Sequence, residues 1–266
     1  MKKIVIGMSG STGVILGVRA LQLLRTVPDV ETHLVLSRSA ALNLRLESDH
    51  TAQDVRALAD VAHNFSDIGA SIASGSFRAD AMLVVPCSMK TLSGIVHSYA
   101  DNLLIRAADV MLKERRTLVL AVRETPFHLG HLRLLTQAAE LGAVVFPPVP
   151  AFYHRPTTLD EVIDQSVGRM LDQVGVVLPT VPRWQGTAAA ASARHGAGSA
   201  DDATSRAPYE RTRPEALPPG TNTAHTTPHT PAHTPAHTTA HATAPTAAPA
   251  RARTVSPRSS EERNIG

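Results

Sequence analysis

Two sequence patterns alternate along most of this chain, and their order constrains the fold more than any other feature. Residues 3–6 are a short apolar run, rich in β-branched side chains, that ends at Gly7. Such a run is typical of a strand buried on both faces. Val14–Leu24 then carries apolar side chains at helical spacing. Because this pair of patterns recurs, we predict a parallel sheet with helices packed on both sides.

The remaining elements follow from the same two patterns. Strands are predicted at residues 33–36, 81–85, 118–122 and 144–146, and helices at residues 40–46, 51–62, after Pro86, 102–113, 129–140 and 159–174. The predicted fold class is therefore α/β, a Rossmann-like doubly wound parallel sheet in a single domain.

The composition changes after Gly186. Residues 187–266 contain three large aliphatic side chains, Leu217, Val255 and Ile265, which are too few to bury a core. We therefore predict a folded domain at residues 1–186 and a disordered, low-complexity tail rich in Ala, Thr, Pro and His at residues 187–266. Five tail histidines recur every fourth residue, but the prolines between them oppose a helix that would align them; they are His225, His229, His233, His237 and His241.

Charge and cysteine content exclude several classes of protein. Residues 1–186 carry 18 basic against 17 acidic side chains, and the tail carries 8 against 6, so there is no basic excess of the kind that nucleic-acid binding needs. The single Cys87 excludes an intramolecular disulfide and a cysteine-based metal site. No apolar run reaches the length of about 18 residues that a membrane span requires. The N-terminal apolar run is broken too early by Gly7 and Gly10 for a secretion signal, and we expect a cytoplasmic protein.

Glycine, hydroxyl and charged side chains follow four of the predicted strands. They occupy residues 7–13 (GMSGSTG), 37–39 (SRS), 86–91 (PCSMKT) and 123–126 (RETP). The carboxyl ends of parallel strands share one edge of the sheet, where ligands bind. Open backbone amides, hydroxyls and an arginine on one edge predict an anion site, and a helix N-terminus favours phosphate there.

Each of these loops also has a plainer interpretation. The glycines of the first loop do not match G-x-G-x-x-G and are consistent with tight packing of a strand against a helix. Ser88 and Thr91 are ordinary helix-capping residues. Arg123 and Glu124 are consistent with a rim ion pair of little energetic value. Only the four loops together favour a ligand site.

Longer segments of the chain resemble the UbiX-type flavin prenyltransferases. The resemblance lies in GMSGSTG, in LSRSA with Glu47 downstream, in PCSMKTLSGIVHSYADNLLIRAADVMLKERRTLVLAVRETPFHLGHL, and in PPVPAFYHRP followed by Arg169 and Pro182-Arg183-Trp184. It runs in register from Lys2 to about Gly186. The string ADNLLIRAADVMLKERR is far more specific than a glycine pattern, and on it the chain is identified as a member of this family.

The resemblance implies a metal-independent transferase that attaches a dimethylallyl group to N5 and C6 of reduced FMN. The implied donor is dimethylallyl monophosphate, and the implied product is the prenylated FMN used by UbiD-type decarboxylases in ubiquinone synthesis or aromatic-acid breakdown. A homododecamer with sites at subunit contacts is also implied. The sequence has no aspartate-rich pair of the kind that recruits magnesium for diphosphate donors, which agrees with a monophosphate donor.

The resemblance also implies three sets of site residues. FMN would be held by Gly10, Ser11, Thr12, Ser37, Ser88, Met89, Lys90, Thr91 and Arg123. The dimethylallyl phosphate would be held by Lys113, Arg123, Glu124, Tyr153, Arg169 and Trp184. Catalytic roles would fall to Glu124, Glu47, Thr12 and Lys113, and no residue is assigned to a metal.

Several roles within these sets have alternatives. Glu124 is the candidate acceptor of the C6 proton, with Glu47 or the released phosphate as rivals. Trp184 either faces the cationic allyl fragment or anchors the end of the domain. Thr12 stands where relatives commonly have serine, so the hydroxyl is kept with stiffer rotamers.

Two other functions compete with prenyl transfer. A flavin-dependent enzyme of the cysteine-decarboxylase kind resembles Pro-Ala-Ser-Ala-Asn-Thr where this chain has PCSMKT at residues 86–91, which argues against it. A non-catalytic subunit that binds FMN and delivers it to an aromatic-acid decarboxylase stays open.

Overall fold

Strands and helices alternate along residues 1–187, the part of the chain that the computed structural model describes. The strands are β1 (Lys2–Met8), β2 (Val30–Leu36), β3 (Val61–His63), β4 (Ala81–Cys87), β5 (Thr117–Val122) and β6 (Val144–Val145). The helices are α1 (Val14–Leu24), α2 (Arg38–Glu47), α3 (Ala52–Leu58), α4 (Met89–Val96), α5 (Leu103–Lys113), α6 (Leu129–Glu140) and α7 (Leu159–Gln173). The predicted tail, from residue 188 onward, lies outside the described residues.

All six strands belong to one parallel sheet. Their order is β3-β2-β1-β4-β5-β6, in which the chain reverses its direction of winding between β1 and β4. Ile6 at the centre of β1 pairs with Leu34 on one side and Leu83 on the other. This order is that of a doubly wound sheet, so the predicted fold class is confirmed. The rule for such sheets places a ligand at the carboxyl ends of β1 and β4.

The core lies on both faces of the sheet because successive strand residues point in opposite directions. Ile4 and Ile6 of β1 pack into a cluster with α1 and α7. Val5, between them, packs into a second cluster with α4 and α5. Each such side chain, taken fully out of water, contributes about 1.5–3 kcal/mol to folding. The two-sided burial explains why these strands are continuous apolar runs in the sequence.

Side-chain caps fix where most of the helices begin. Ser37 accepts a hydrogen bond from the backbone N–H of Ala40 at 3.0 Å, and Asn102 accepts one from Ile105 at 3.1 Å. Ser88 similarly accepts one from Thr91. The caps Ser37 and Ser88 come directly after β2 and β4, so the positive ends of α2 and α4 open at the carboxyl edge of the sheet.

The third strand was not predicted. The expected helix at residues 51–62 ends at Leu58, and Val61–His63 then pairs with β2 as an edge strand. Asp60 fixes this edge, because its carboxylate accepts hydrogen bonds from the N–H and hydroxyl of Thr32 at 2.7 and 2.8 Å. A strand of three residues, two of them exposed, has no apolar run to reveal it.

Candidate active site

Three loops meet at the carboxyl edge of the sheet, where β1 lies next to β4. The Ser9 hydroxyl joins two of them, since it donates to the carbonyl of Pro86 at 3.0 Å and accepts from the N–H of Ser88 at 2.8 Å. The Ser11 hydroxyl donates to the carbonyl of Arg123 at 2.6 Å and so ties in the loop after β5. These bonds hold the first loop rigidly against its two neighbours.

A cavity of about 490 Å³ opens between the loops that follow β1, β2, β3 and β4 and the start of α5. Such a volume suits a small-molecule ligand. Its wall combines hydroxyls, one amide, two cations and two apolar side chains; it is lined by Ser9, Gly10, Ser37, Arg38, Ser39, Phe65, Ser66, Ser88, Lys90, Thr91, Asn102 and Ile105. Hydroxyls and cations suit a phosphate group, while Phe65 and Ile105 suit a flat ring. The residues present therefore fit a flavin mononucleotide.

Five residues that the sequence assigned to FMN line this cavity: Gly10, Ser37, Ser88, Lys90 and Thr91. Met89 is directed toward the core, where it packs against the second cluster. Among the lining residues that the sequence did not predict are Phe65 and Ser66, which follow the unpredicted strand β3, and Asn102, which lies in the segment ADNLLIRAADVMLKERR.

Gly10 is the point of closest approach between the first two loops. A Cβ atom built there would lie 2.4 Å from the Cβ of Ser39, a separation that real Cβ atoms do not show. The first loop therefore needs glycine at this position in order to lie against the β2–α2 loop and form the cavity wall.

The N-terminus of α1 already holds an anion from the chain itself. Gly13, with a φ of 90°, has no side chain to cap the helix. The carboxylate of Glu47 instead accepts hydrogen bonds from the N–H groups of Gly13 and Val14, at 2.8 and 3.3 Å. The sequence predicted a ligand phosphate at this edge, and in the structure the carboxylate of Glu47 occupies the N-terminus of α1. The N-termini of α2 and α4 are the helix ends at which a ligand phosphate can bind.

Glu124 and Thr12 lie on the rim of the same edge. One carboxylate oxygen of Glu124 accepts a hydrogen bond from the N–H of Thr125 at 2.9 Å. Among residues 1–187 its other oxygen has no hydrogen-bond partner. Thr12 and Arg123 are exposed, and the side chains of both make no hydrogen bond within that part of the chain. The rim thus presents a free carboxylate oxygen, a hydroxyl and a guanidinium.

Tyr153, Arg169 and Trp184 form a second group on the outer side of α7. The Tyr153 hydroxyl donates to the carbonyl of Pro182 at 3.1 Å, and its ring meets that of Trp184 edge-on with centroids 5.9 Å apart. Tyr153 and Trp184 border a cavity of about 280 Å³, together with Pro182 and Arg183. Arg169 is paired with Asp172 one turn further along the helix. No hydrogen bond or ion pair within residues 1–187 connects this group to Arg123 or Glu124.

Lys113 lies at the opposite edge of the sheet from Arg123 and Glu124. It is the last residue of α5, a short turn before β5, and its ammonium pairs with Glu114 beside Gly75. Strands begin at this edge, whereas Arg123 and Glu124 follow the end of β5. A single chain therefore does not bring Lys113 to the carboxyl edge, and the expected cluster of donor-binding residues is divided among three places.

The buried His33 of β2 and the half-buried His63 of β3 lie side by side. His33 Nδ1 is 3.0 Å from His63 Nε2, and His33 Nε2 is 2.9 Å from a carboxylate oxygen of Glu31. Burial lowers the pKa of both imidazoles, more than the neighbouring Glu31 raises that of His33, and His33 lowers that of His63 further. Burial also raises the pKa of the Cys87 thiol to about 12.

Within residues 1–187 no group of three or more histidine, cysteine, aspartate or glutamate side chains is placed to hold a metal ion. No helix of the same residues is long and apolar enough to cross a membrane.

Comparison with known proteins yields a consistent set of similarities. Residues 1–180 match the family model described as Flavoprotein. The chain is 63% identical over 188 residues to the flavin prenyltransferase UbiX of Escherichia coli K12, covering 70% of this chain and all of that protein. A crystal structure of a UbiX protein in complex with FMN and dimethylallyl pyrophosphate matches with a TM-score of 0.69 and 51% identity, over 70% of this chain and 98% of that one. A dodecameric FMN-dependent UbiX-like decarboxylase from Escherichia coli O157:H7 matches with a TM-score of 0.68 and 52% identity, over 69% of this chain and all of that one.

Proposed function

Because this chain belongs to the flavoprotein family, and within it to the flavin prenyltransferases of the UbiX type, we propose that it transfers a dimethylallyl group from dimethylallyl monophosphate to N5 and C6 of reduced FMN. The product, prenylated FMN, is made for a UbiD-type decarboxylase. The observation that carries the proposal is the flavin-sized cavity at the β1–β4 switch point, lined by five of the residues that the family resemblance assigns to FMN. Residues 1–186 act as the transferase domain, in the cytoplasm.

The flavin site uses the sheet edge and two helix starts. The N-termini of α2 and α4 carry partial positive charge toward the cavity, and Arg38 and Lys90 add full charges. The hydroxyls of Ser37 and Thr91 supply polar contacts, while Phe65 and Ile105 supply apolar surface for the ring. Reduced FMN provides the nucleophilic atoms of the reaction. The protein contributes by fixing their position relative to the donor, which accounts for much of the acceleration.

The donor site has to stabilise a departing phosphate. Breaking the allylic carbon–oxygen bond places growing negative charge on the phosphate, so cations must already be in position. Arg123 and Arg169 offer two-pronged hydrogen bonding, and Lys113 offers a point charge. Trp184 faces the electron-poor allyl fragment, for which an indole is the best aromatic partner.

Glu124 is the proposed acceptor of the proton that leaves C6. Its rival Glu47 already accepts two backbone N–H groups at the start of α1, and proton uptake there would weaken that cap. Glu124 has a carboxylate oxygen without a partner among the described residues, so it can bind a proton at little cost to the fold. The hydroxyl of Thr12 lies on the same rim and serves as a polar contact to the reacting groups.

The three separate groups of donor-binding residues support a site shared between subunits. A chain that holds Lys113 at one edge of the sheet and Arg123 at the other completes the site only when a second copy supplies the missing cation. Relatives include a dodecameric protein at 52% identity over its full length, and we propose the same assembly here. Lys113 of one copy would then face Arg123 and Glu124 of another, and the assembly would also bring the separate group of Tyr153, Arg169 and Trp184 to this site.

Anaerobic incubation of the full chain with reduced FMN and dimethylallyl monophosphate tests the function. We expect the flavin mass to rise by one prenyl unit. A parallel reaction with dimethylallyl pyrophosphate separates the two donors, since a solved relative contains the pyrophosphate. Flavin that is bound but unchanged with both donors would eliminate the transferase and leave the non-catalytic delivery subunit.

A further inference from the structure

Asp172 is shared by two arginines of the C-terminal region. Arg183 donates to both of its carboxylate oxygens, from Nη1 at 2.9 Å and from Nη2 at 2.8 Å. Arg169, one turn earlier on α7, pairs with the same carboxylate. The Asp172 side chain is only 10% exposed, and these arginines, Arg183 first, hold the pKa of its carboxyl below the usual range. The result is one buried anion that orients two guanidinium groups.

The pair also closes a ring of contacts around the second cavity. Gln165 of α7 donates to the Tyr153 hydroxyl at 3.0 Å, and that hydroxyl donates to the carbonyl of Pro182. Pro182 precedes Arg183, whose contact with Asp172 returns the chain to α7. Trp184 is the next residue, and its ring packs edge-on against Tyr153. The Asp172–Arg183 contact therefore lies between Arg169 and Trp184, two of the residues that the family resemblance places in this region.

A second contact holds the residue at the start of the segment. Val181 packs against Gly168 of α7, where a Cβ atom would lie 2.2 Å from a Val181 methyl group. This contact fixes the segment one residue before Pro182, but it does not set the direction of Trp184, which is 55% exposed. The partly exposed ion pair adds little to stability, as is usual for such pairs. Its two-pronged geometry instead fixes orientation.

We propose that Asp172 and Arg183 are positioning residues of the prenyl-donor site: together they dock the segment that carries Trp184 onto α7 and aim the guanidinium of Arg169. This inference rests on the proposed function for its chemistry, but the docking itself is independent of any ligand. Removing Asp172 frees Arg169 to adopt other rotamers and loosens the Trp184 segment, whereas removing Arg183 loosens the segment and leaves Arg169 paired with Asp172. In both cases the flavin cavity at the carboxyl edge stays intact.

The test uses the only tryptophan of the chain as a probe. Acrylamide quenching and the emission maximum of Trp184 are measured for the full chain with Asp172→Asn or Arg183→Gln, and for the charge-exchanged double variant Asp172→Arg/Arg183→Asp. The matched control is Asp164→Asn, which removes the ion pair between α7 and Arg19 of α1; Asp164 makes no hydrogen bond or ion pair with residues 181–186. Thermal melts establish that each variant is folded.

We expect red-shifted emission and stronger quenching in both single variants, with recovery in the charge-exchanged double variant. The KM for dimethylallyl monophosphate should rise roughly tenfold through misplaced contacts, while the Kd for FMN stays within about twofold. Asp164→Asn should change neither property. Single variants that match Asp164→Asn in quenching and KM would overturn the inference. A wild-type chain that never prenylates FMN would overturn the proposed function instead, and the quenching comparison would still decide whether the pair docks the segment.

Discussion

Substitutions of Glu47 can distinguish a structural role of this carboxylate, capping α1, from a chemical role in proton transfer. Its carboxylate caps α1 from the end of α2, 34 residues away, through hydrogen bonds to Gly13 and Val14. Replacing Glu47 with alanine removes both the acceptor and the negative charge beside the helix N-terminus. Losses of this kind cost about 1–2 kcal/mol. For a domain of this size, we expect the melting temperature to fall by about 3–6 °C.

Glu47→Gln keeps an acceptor oxygen and removes only the charge, so it should lose less than about 1 kcal/mol. The control is Asp49→Ala, since Asp49 is also exposed and makes no hydrogen bond or ion pair within residues 1–187. Differential scanning calorimetry on the three variants gives the order of stability. A Glu47→Ala melt that coincides with Asp49→Ala would refute the capping argument. Transferase activity lost in Glu47→Gln without a change in melting temperature would show that Glu47, and not Glu124, handles the C6 proton.

Three further outcomes follow from the described contacts. Because the pKa values of His33 and His63 are lowered in the folded chain, the unfolded chain takes up protons first as the pH falls below about 6.5. The urea midpoint of unfolding should therefore drop between pH 7.5 and pH 5.5, and it should drop less in His33→Gln. An equal drop in both proteins would contradict this. Burial raises the pKa of the Cys87 thiol to about 12. The thiol should therefore resist iodoacetamide at pH 8 in the folded chain and react with it in urea. Rapid labelling of the folded chain would count against the burial of Cys87. Arg169→Ala should raise the KM for dimethylallyl monophosphate by roughly tenfold or more with little change in the Kd for FMN, and equal loss of both would mean that Arg169 is wrongly assigned.

The sequence predicted most accurately the strands that are buried on both faces of the sheet. The strands around Ile6, Leu83 and Leu120 are fully buried, so their apolar runs stand out and their order could be predicted as an α/β sheet. The edge strand β3 has two exposed residues among three, and its pairing depends on Asp60 reaching Thr32. A contact between residues 28 positions apart leaves no local sequence pattern from which the strand could be predicted.

From the sequence, only those site residues could be predicted that lie in loops at the ends of neighbouring strands. Gly10, Ser37 and Ser88 follow strand ends, and the parallel sheet brings them together without any knowledge of side chains. Phe65 was missed because it follows the missed strand. The position of Lys113 at the other edge follows from the same topology, since Lys113 ends the helix that leads into β5. The family resemblance assigned Lys113 and Arg123 to the same donor site. That assignment does not say which subunit supplies each residue.

The location of Lys113 has a genetic consequence if the proposed assembly is correct. Each copy would then contribute parts to different catalytic centres, so a defective subunit would damage its neighbours' chemistry as well as its own. Two inactive alleles, Lys113→Ala and Arg123→Ala, should complement each other when expressed in one cell, because some mixed contacts would unite the intact lysine of one product with the intact arginine of the other.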